Sequence, residues 1–168
     1  MNTTIIGIDP GASGALSFTN SKKIDVQSHK CNPLISGRNI TLSMATTAYA
    51  DEKIVAYIEK VHAMPHDGRS SLFKFGVNYG CWLGLLNSKI GHTPRNIKQI
   101  VEVSPQKWMN FWQKKLDIKL PKVKKDRKNK LKEIATEYTS EKVTLWNADA
   151  ILITMYGMYT EKENSNGQ

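Results

Sequence analysis

A chain of 168 residues, 40% of them hydrophobic, is about one domain long and has the apolar content for a core, which excludes a disordered tail or a fibre. No apolar run reaches the roughly 18 residues of a membrane helix; the longest, Ala148 to Tyr159, already contains Asp149. Lys and Arg outnumber Asp and Glu by 24 to 15, a net charge of +9, and the stretch from Lys107 to Lys142 carries twelve basic and five acidic residues, so most of the excess sits there.

Thr4-Ile5-Ile6-Gly7-Ile8 is a short β-branched run stopping at Asp9-Pro10-Gly11, the pattern of a buried strand that ends in a turn. Ala15 to Thr19 and Ile24 to Ser28 read as the next two, antiparallel, strands. Between Cys31 and Ala50, Pro33, Gly37 and scattered Thr and Ser predict a loop with room for one short helix near Met44 to Tyr49. Ile54 to Glu59 is a strand that again ends in a carboxylate, and Met64 to Arg69 is a loop.

Ser70 to about Lys89 reads as a helix capped by Ser70 or Ser71. Gly76, Gly80 and Gly84 line one of its faces and each costs about 1 kcal/mol of helix propensity against Ala. Close packing on the sheet is the expectation for that face, with a second subunit or a DNA backbone as alternatives. Ile97 to Val103 is a fifth strand, Gln106 to Trp112 a short helix, Lys114 to Lys125 an irregular basic stretch, and Asp126 to Tyr138 a helix. Asn147 to Tyr159 is a final helix with Ile151, Leu152, Met155 and Met158 as its buried stripe. This order predicts an α/β protein of ribonuclease H-like fold, a mixed five-stranded sheet flanked by helices. One domain is expected over residues 1–160, with 161–168 a frayed tail.

A positive block on a folded chain is the footprint of a polyanion partner, most often nucleic acid. Cys31 and Cys81 stand alone, with no CxxC or paired His, so neither zinc nor a disulfide framework is expected. The N-terminus lacks the charged and apolar regions of a secretory signal, and the expected location is cytoplasmic. The near-helical spacing of Trp108, Phe111 and Trp112 reads as core before it reads as a base-stacking surface.

Three carboxylates stand at element ends: Asp9 after the first strand, Glu59 at the end of the fourth, and Asp149 at the start of the last helix. If the first and fourth strands are neighbours, Asp9 and Glu59 meet, and the last helix can lay Asp149 across them. Oxygen ligands of this kind suit hard divalent cations such as Mg²⁺. Spacing alone also allows three unrelated polar ends.

Gly7-Ile8-Asp9-Pro10-Gly11 followed by Ser13-Gly14-Ala15-Leu16 resembles the N-terminal signature of the RuvC-like Holliday junction resolvases, particularly phage-encoded ones. Ile58-Glu59-Lys60-Val61-His62-Ala63-Met64-Pro65, continued by Ser71 to Gly76, is similar to the family's second motif. Val103-Ser104-Pro105-Gln106-Lys107-Trp108 resembles its V-x-P-x-x-W element, and Ala148-Asp149-Ala150-Ile151-Leu152 its C-terminal A-D-A-L helix. GIDPG alone occurs in several nucleotide-handling folds, but four motifs in order are specific.

The resemblance implies a metal-dependent endonuclease acting as a homodimer on four-way DNA junctions, with Mg²⁺ as cofactor and Mn²⁺ able to substitute. It makes Asp9, Glu59 and Asp149 metal ligands and Lys125 the lysine near the scissile phosphate, with Lys124 and Lys128 competing. His62 or Met64 occupies the place of a junction wedge, and Arg69, Lys74, Lys122, Lys124 and Lys128 are candidate DNA contacts. The sequence departs from the family at one point. Its fourth acidic residue would fall among Thr144, Leu145, Trp146 and Asn147, leaving Asn147 or Glu141 as weak substitutes. That departure motivates a second reading, a junction-binding protein with little or no cleavage. A third is a nuclease of the same fold acting on RNA·DNA hybrids.

Overall fold

The computed structural model describes residues 3–11, 13–21, 25–31, 35–47, 53–60, 68–91 and 96–166. Strands β1 (Thr3–Ile8), β2 (Ala15–Asn20) and β3 (Gln27–Lys30) form an antiparallel meander, followed by α1 (Ile35–Thr47) and β4 (Lys53–Glu59). Then come α2 (Arg69–Ser88), β5 (Ile97–Val103), α3 (Pro105–Leu116), α4 (Lys124–Ala135) with a 3₁₀ turn over Thr136–Tyr138, and α5 (Ala148–Asn166). β4 pairs parallel with both β1 and β5, giving the order β3-β2-β1-β4-β5. The sheet is mixed, five-stranded and flanked by helices, as the element order predicts.

Alternation along the strands divides the core into two layers. Ile6, Ile8, Ile54, Ala56 and Ile58 face Leu42 and Ala45 of α1 and Trp82 and Leu86 of α2. Ile5, Val55 and Tyr57 face Trp108 and Trp112 of α3, Leu131 and Ile134 of α4, and the apolar length of α5. Among the described residues no helix is long and apolar enough to cross a membrane.

Several elements differ from the sequence expectation. β3 spans Gln27–Lys30, the residues that pair with Ala15–Phe18; Asp25 and Val26 are not strand, and Ile24 lies outside the described residues. Where a loop with one short helix near Met44 to Tyr49 is predicted, α1 forms a helix of 13 residues from Ile35 to Thr47, and Ala48 and Tyr49 lie outside the described residues; Thr, Ser and Gly weaken its local signal, and burial of Leu42 and Ala45 supplies what propensity does not. α2 is capped by Gly68, without a side-chain cap, rather than by Ser70 or Ser71. α3 runs four residues beyond Trp112, and α4 begins at Lys124, inside the stretch read as irregular.

α5 continues to Asn166, well past the predicted end. Its second half is tied down by Glu161, whose carboxylate accepts from the Tyr57 hydroxyl at 3.0 Å and from Lys53 Nζ at 2.8 Å. The buried surface of α5 covers nearly the whole circumference from Ala148 to Met158 rather than one stripe, because β1, β2, α3 and α4 all pack on it. The glycine face of α2 is not in the core: a Cβ at Gly76, Gly80 or Gly84 would meet nothing within 4 Å. Phe73 is 74% exposed on the same helix.

Candidate active site

The strand register brings the first two carboxylates together. β1 and β4 pair Gly7 with Tyr57 and Ile8 with Ile58, so one further step sets Asp9 beside Glu59. Both continue the alternation of Ile5 and of Val55 and Tyr57, which face α5. The turn after β1 folds over Asp9: the Gly11 N–H donates to Asp9 Oδ1 at 2.9 Å, and the Asp9 N–H donates to the Ala15 carbonyl at 2.9 Å. A side chain at Gly14 would overlap the Asp9 backbone carbonyl, so this closure requires glycine there.

Asp149 comes from the first turn of α5, and Gly7 lets that helix close on the sheet. A Cβ at Gly7 would collide with the Thr154 backbone nitrogen and the Ala150 carbonyl. The Thr154 and Ser17 hydroxyls then bond at 2.5 Å across the α5–β2 contact. The start of α5 is fixed by Asn147, whose Oδ1 accepts from the Thr144 N–H at 2.7 Å and whose Nδ2 donates to Ser28 Oγ at 3.0 Å. Glu141 Oε2 accepts from the Ser28 hydroxyl at 2.7 Å and from its N–H at 3.1 Å. Both weak substitutes for the fourth carboxylate are therefore engaged in anchoring α5 to β3.

Glu59 has a partner that the sequence does not announce. The Trp108 indole N–H donates to Glu59 Oε1 at 3.0 Å. Trp108 is placed by the start of α3: Ser104 caps the helix by accepting from the Lys107 N–H, and Pro105 occupies the first turn. Trp112, one turn on, donates to the Leu152 carbonyl at 3.2 Å and holds α3 against α5. Trp108 and Trp112 are buried and Phe111 packs against the same core, so these aromatics are core rather than a stacking surface.

The three carboxylates feel one another. Burial, then the charge of Asp9, raises Glu59 to about 8, with Asp149 adding to the rise and the Trp108 bond and Lys128 opposing it. Burial and Asp9 raise Asp149 to about 6. Burial also raises Asp9, against the Gly11 hydrogen bond and Lys128. Lys128 is thus a lysine whose charge acts on all three, and Arg127 acts with it on Asp149. Lys128 lies on the α4 stripe of Leu131 and Ala135, at i+3 and i+7, which turns it inward. Lys122, Lys124 and Lys125 are exposed, as are Arg69 and Lys74 on α2. His62 and Met64 lie outside the described residues.

Among the described residues no three His, Cys, Asp or Glu side chains already stand close enough to enclose an ion. The donor set nevertheless fits a hard divalent cation. Its members are all carboxylates, half-buried and mutually repelling, and Lys128 is the main positive charge set against them. Cys31 is buried beside the Asp9 backbone, its thiol pushed up to about 12 chiefly by burial and held protonated, so it offers no soft ligand.

The fold is a ribonuclease H-like architecture, the mixed five-stranded sheet flanked by helices of the RuvC structures that it resembles. Thermus thermophilus RuvC in complex with Holliday junction substrate is similar over 96% of each chain, with a TM-score of 0.56 and 11% identity. A second Thermus thermophilus RuvC structure matches over 96% of each chain, with a TM-score of 0.55 and 13% identity. No protein-family model matches the sequence, and no curated protein matches it. At these identities the likeness establishes the fold.

Proposed function

We propose that the chain is a divalent-metal-dependent endonuclease that resolves four-way DNA junctions by paired nicks. The observation that carries the reading is the convergence of Asp9, Glu59 and Asp149 from two neighbouring strands and one helix, with Lys128 facing them. Asp9, Glu59 and Asp149 would hold Mg²⁺, or Mn²⁺ in its place. When bound, the metal would offset charge on the scissile phosphate and favour an attacking hydroxide. Lys128 brings a positive charge to the same place and would steady the phosphate as negative charge builds on it. Trp108 keeps Glu59 in its rotamer, and the Gly11 N–H does the same for Asp9.

DNA binding is supported by the start of α4. Lys124 and Lys125 occupy its first turn, where the helix dipole is already positive, and Val123 supplies no side-chain cap. Asp126 in the same turn offsets part of that charge, and a phosphate accepting from the first-turn backbone N–H groups would draw on the rest. Arg69, Lys74, Lys122, His62 and Met64 remain candidate contacts. The chain would act as a symmetric homodimer, since a junction cut at two equivalent points suits two equivalent sites. The uncovered face of α2, with Gly76, Gly80, Gly84 and exposed Phe73, is the candidate interface. The motif style points to a phage-encoded enzyme working in the host cytoplasm.

A second reading, junction binding with weak cleavage, is favoured by one observation: Asn147 and Glu141 are both occupied elsewhere. Asp9→Asn separates the two. The substitution keeps shape and removes a charge, so cleavage in Mg²⁺ should be lost and junction affinity retained or increased. Unchanged cutting by the variant would remove Asp9 from the mechanism.

A further inference from the structure

We infer that Trp108 is a positioning residue that decides how Glu59 meets a metal ion, and so favours small octahedral cations over Ca²⁺. The inference rests on the nuclease reading above. An indole N–H is a donor only, so it can bind a carboxylate oxygen but never a cation. By donating to Oε1 at 3.0 Å it takes up one of that oxygen's lone-pair directions and draws off part of its charge, which makes Oε2 the stronger donor to an ion. The indole is not free to swing aside. Trp108 is 1% exposed and belongs to the core layer under α5, and α3 is pinned by the Ser104 cap at one end and by the Trp112–Leu152 bond along its length.

The consequence is a Glu59 that favours contact through a single oxygen. Mg²⁺ takes near-octahedral single oxygens at about 2.0–2.1 Å, whereas Ca²⁺ takes six to eight ligands at about 2.3–2.6 Å and commonly grips a carboxylate by both oxygens. Weakening Oε1 as a donor works against the two-oxygen grip more than against the one-oxygen one. Asp9 is similarly restrained, since the Gly11 N–H occupies its Oδ1. The two strand-borne carboxylates thus share one design: a fixed N–H engages one oxygen and orients the group, and the other oxygen carries more of the charge. β1 and β4 set them side by side.

Calorimetric titration of the full chain with Mg²⁺ and, separately, Ca²⁺ tests this in the wild type and in Trp108→Phe, which keeps a ring in the core and deletes the N–H. Losing an outer partner of a metal ligand typically costs about 10-fold or more in affinity, so Mg²⁺ binding should weaken by about that factor. Ca²⁺ binding should weaken less or strengthen, and the Ca²⁺-to-Mg²⁺ affinity ratio should rise several-fold. Loss of packing alone would weaken both ions together, and an unchanged ratio overturns the role of Trp108. Should the variant fail to fold, the wild type still decides. In a nitrogen-15 spectrum the Trp108 indole N–H should stay protected from solvent exchange through a Mg²⁺ titration and shift along the binding curve. An indole signal that ignores bound Mg²⁺, or begins to exchange freely, contradicts the inference. A wild-type protein that binds neither ion overturns the metal-dependent reading as well, which distinguishes that failure from the failure of Trp108 alone.

Discussion

Each carboxylate of the site is a cost to the metal-free protein, and the cost has a sign. Glu59 is raised from 4.5 to about 8, and Asp149 from 3.8 to about 6. In that window the folded chain keeps protons that the unfolded chain has released. The contribution of these groups to stability is therefore fully present below the unfolded values and is lost as pH rises towards the folded ones. In EDTA the melting temperature should fall between about pH 5 and about pH 8, and Glu59→Gln should make that fall shallower. Added Mg²⁺ should raise it most at the alkaline end, where the carboxylates are most completely ionised. Identical slopes in the wild type and Glu59→Gln would show that Glu59 is not strained by its surroundings. Asp9, Glu59 and Asp149 are legible in the sequence because each closes or opens a patterned element. The bond from Trp108 to Glu59 is not, since it joins residues 49 positions apart and exists only once α3 has packed. Lys128 is nearer to legible: helical spacing from Leu131 and Ala135 places it on the inner face of α4, whereas Lys125 is exposed.

At the scale of elements, two sets of glycines do opposite things. Gly7 sits where α5 crosses β1, and a methyl group there meets the helix backbone. Gly7→Ala should cost about 1–3 kcal/mol, as overpacking does, and should lift Asp149 away from Asp9. Gly80 has open space where its Cβ would be, so Gly80→Ala should stabilise the subunit by up to about 1 kcal/mol through helix propensity. Denaturant unfolding of the two variants, at a protein concentration low enough to hold single subunits, measures both; a destabilised Gly80→Ala under that condition would mean that another part of the same chain covers the face. The strands were readable because short β-branched runs bounded by turn residues have few other solutions. α1 was not, because a helix rich in Thr and Ser is selected by the apolar layer it covers rather than by its own residues. The far end of α5 is hidden in the sequence for a similar reason: polar residues after Tyr159 look like a frayed end, and only the fold brings Glu161 to Tyr57 and Lys53.

For the whole molecule, the charge asymmetry and the open face of α2 are the features that a lone subunit leaves unexplained. Junction affinity should fall steeply with salt, and replacing Lys122, Lys124 and Lys125 together by Ala should flatten the log–log slope by about 2 to 3, at about 0.9 per lost phosphate contact. An unchanged slope would make that block an ordinary solvated surface. In sedimentation the wild type should be a dimer, and Gly80→Leu, which the open space allows to fold, should be a monomer. A wild-type monomer both with and without junction DNA would contradict the symmetric arrangement.

The central claim, that three converging carboxylates make this fold a junction-resolving nuclease, is tested most directly by cleavage of an immobile four-way junction. Each of its four strands is labelled in turn, Mg²⁺ or Mn²⁺ is added, and a linear duplex and an RNA·DNA hybrid of equal length serve as controls. The account predicts symmetrically placed nicks in two opposite strands, little cutting of either control, and no nicks with Asp9→Asn despite retained binding. Tight binding of the junction without cleavage in either ion, or equal cutting by Asp9→Asn, would contradict it.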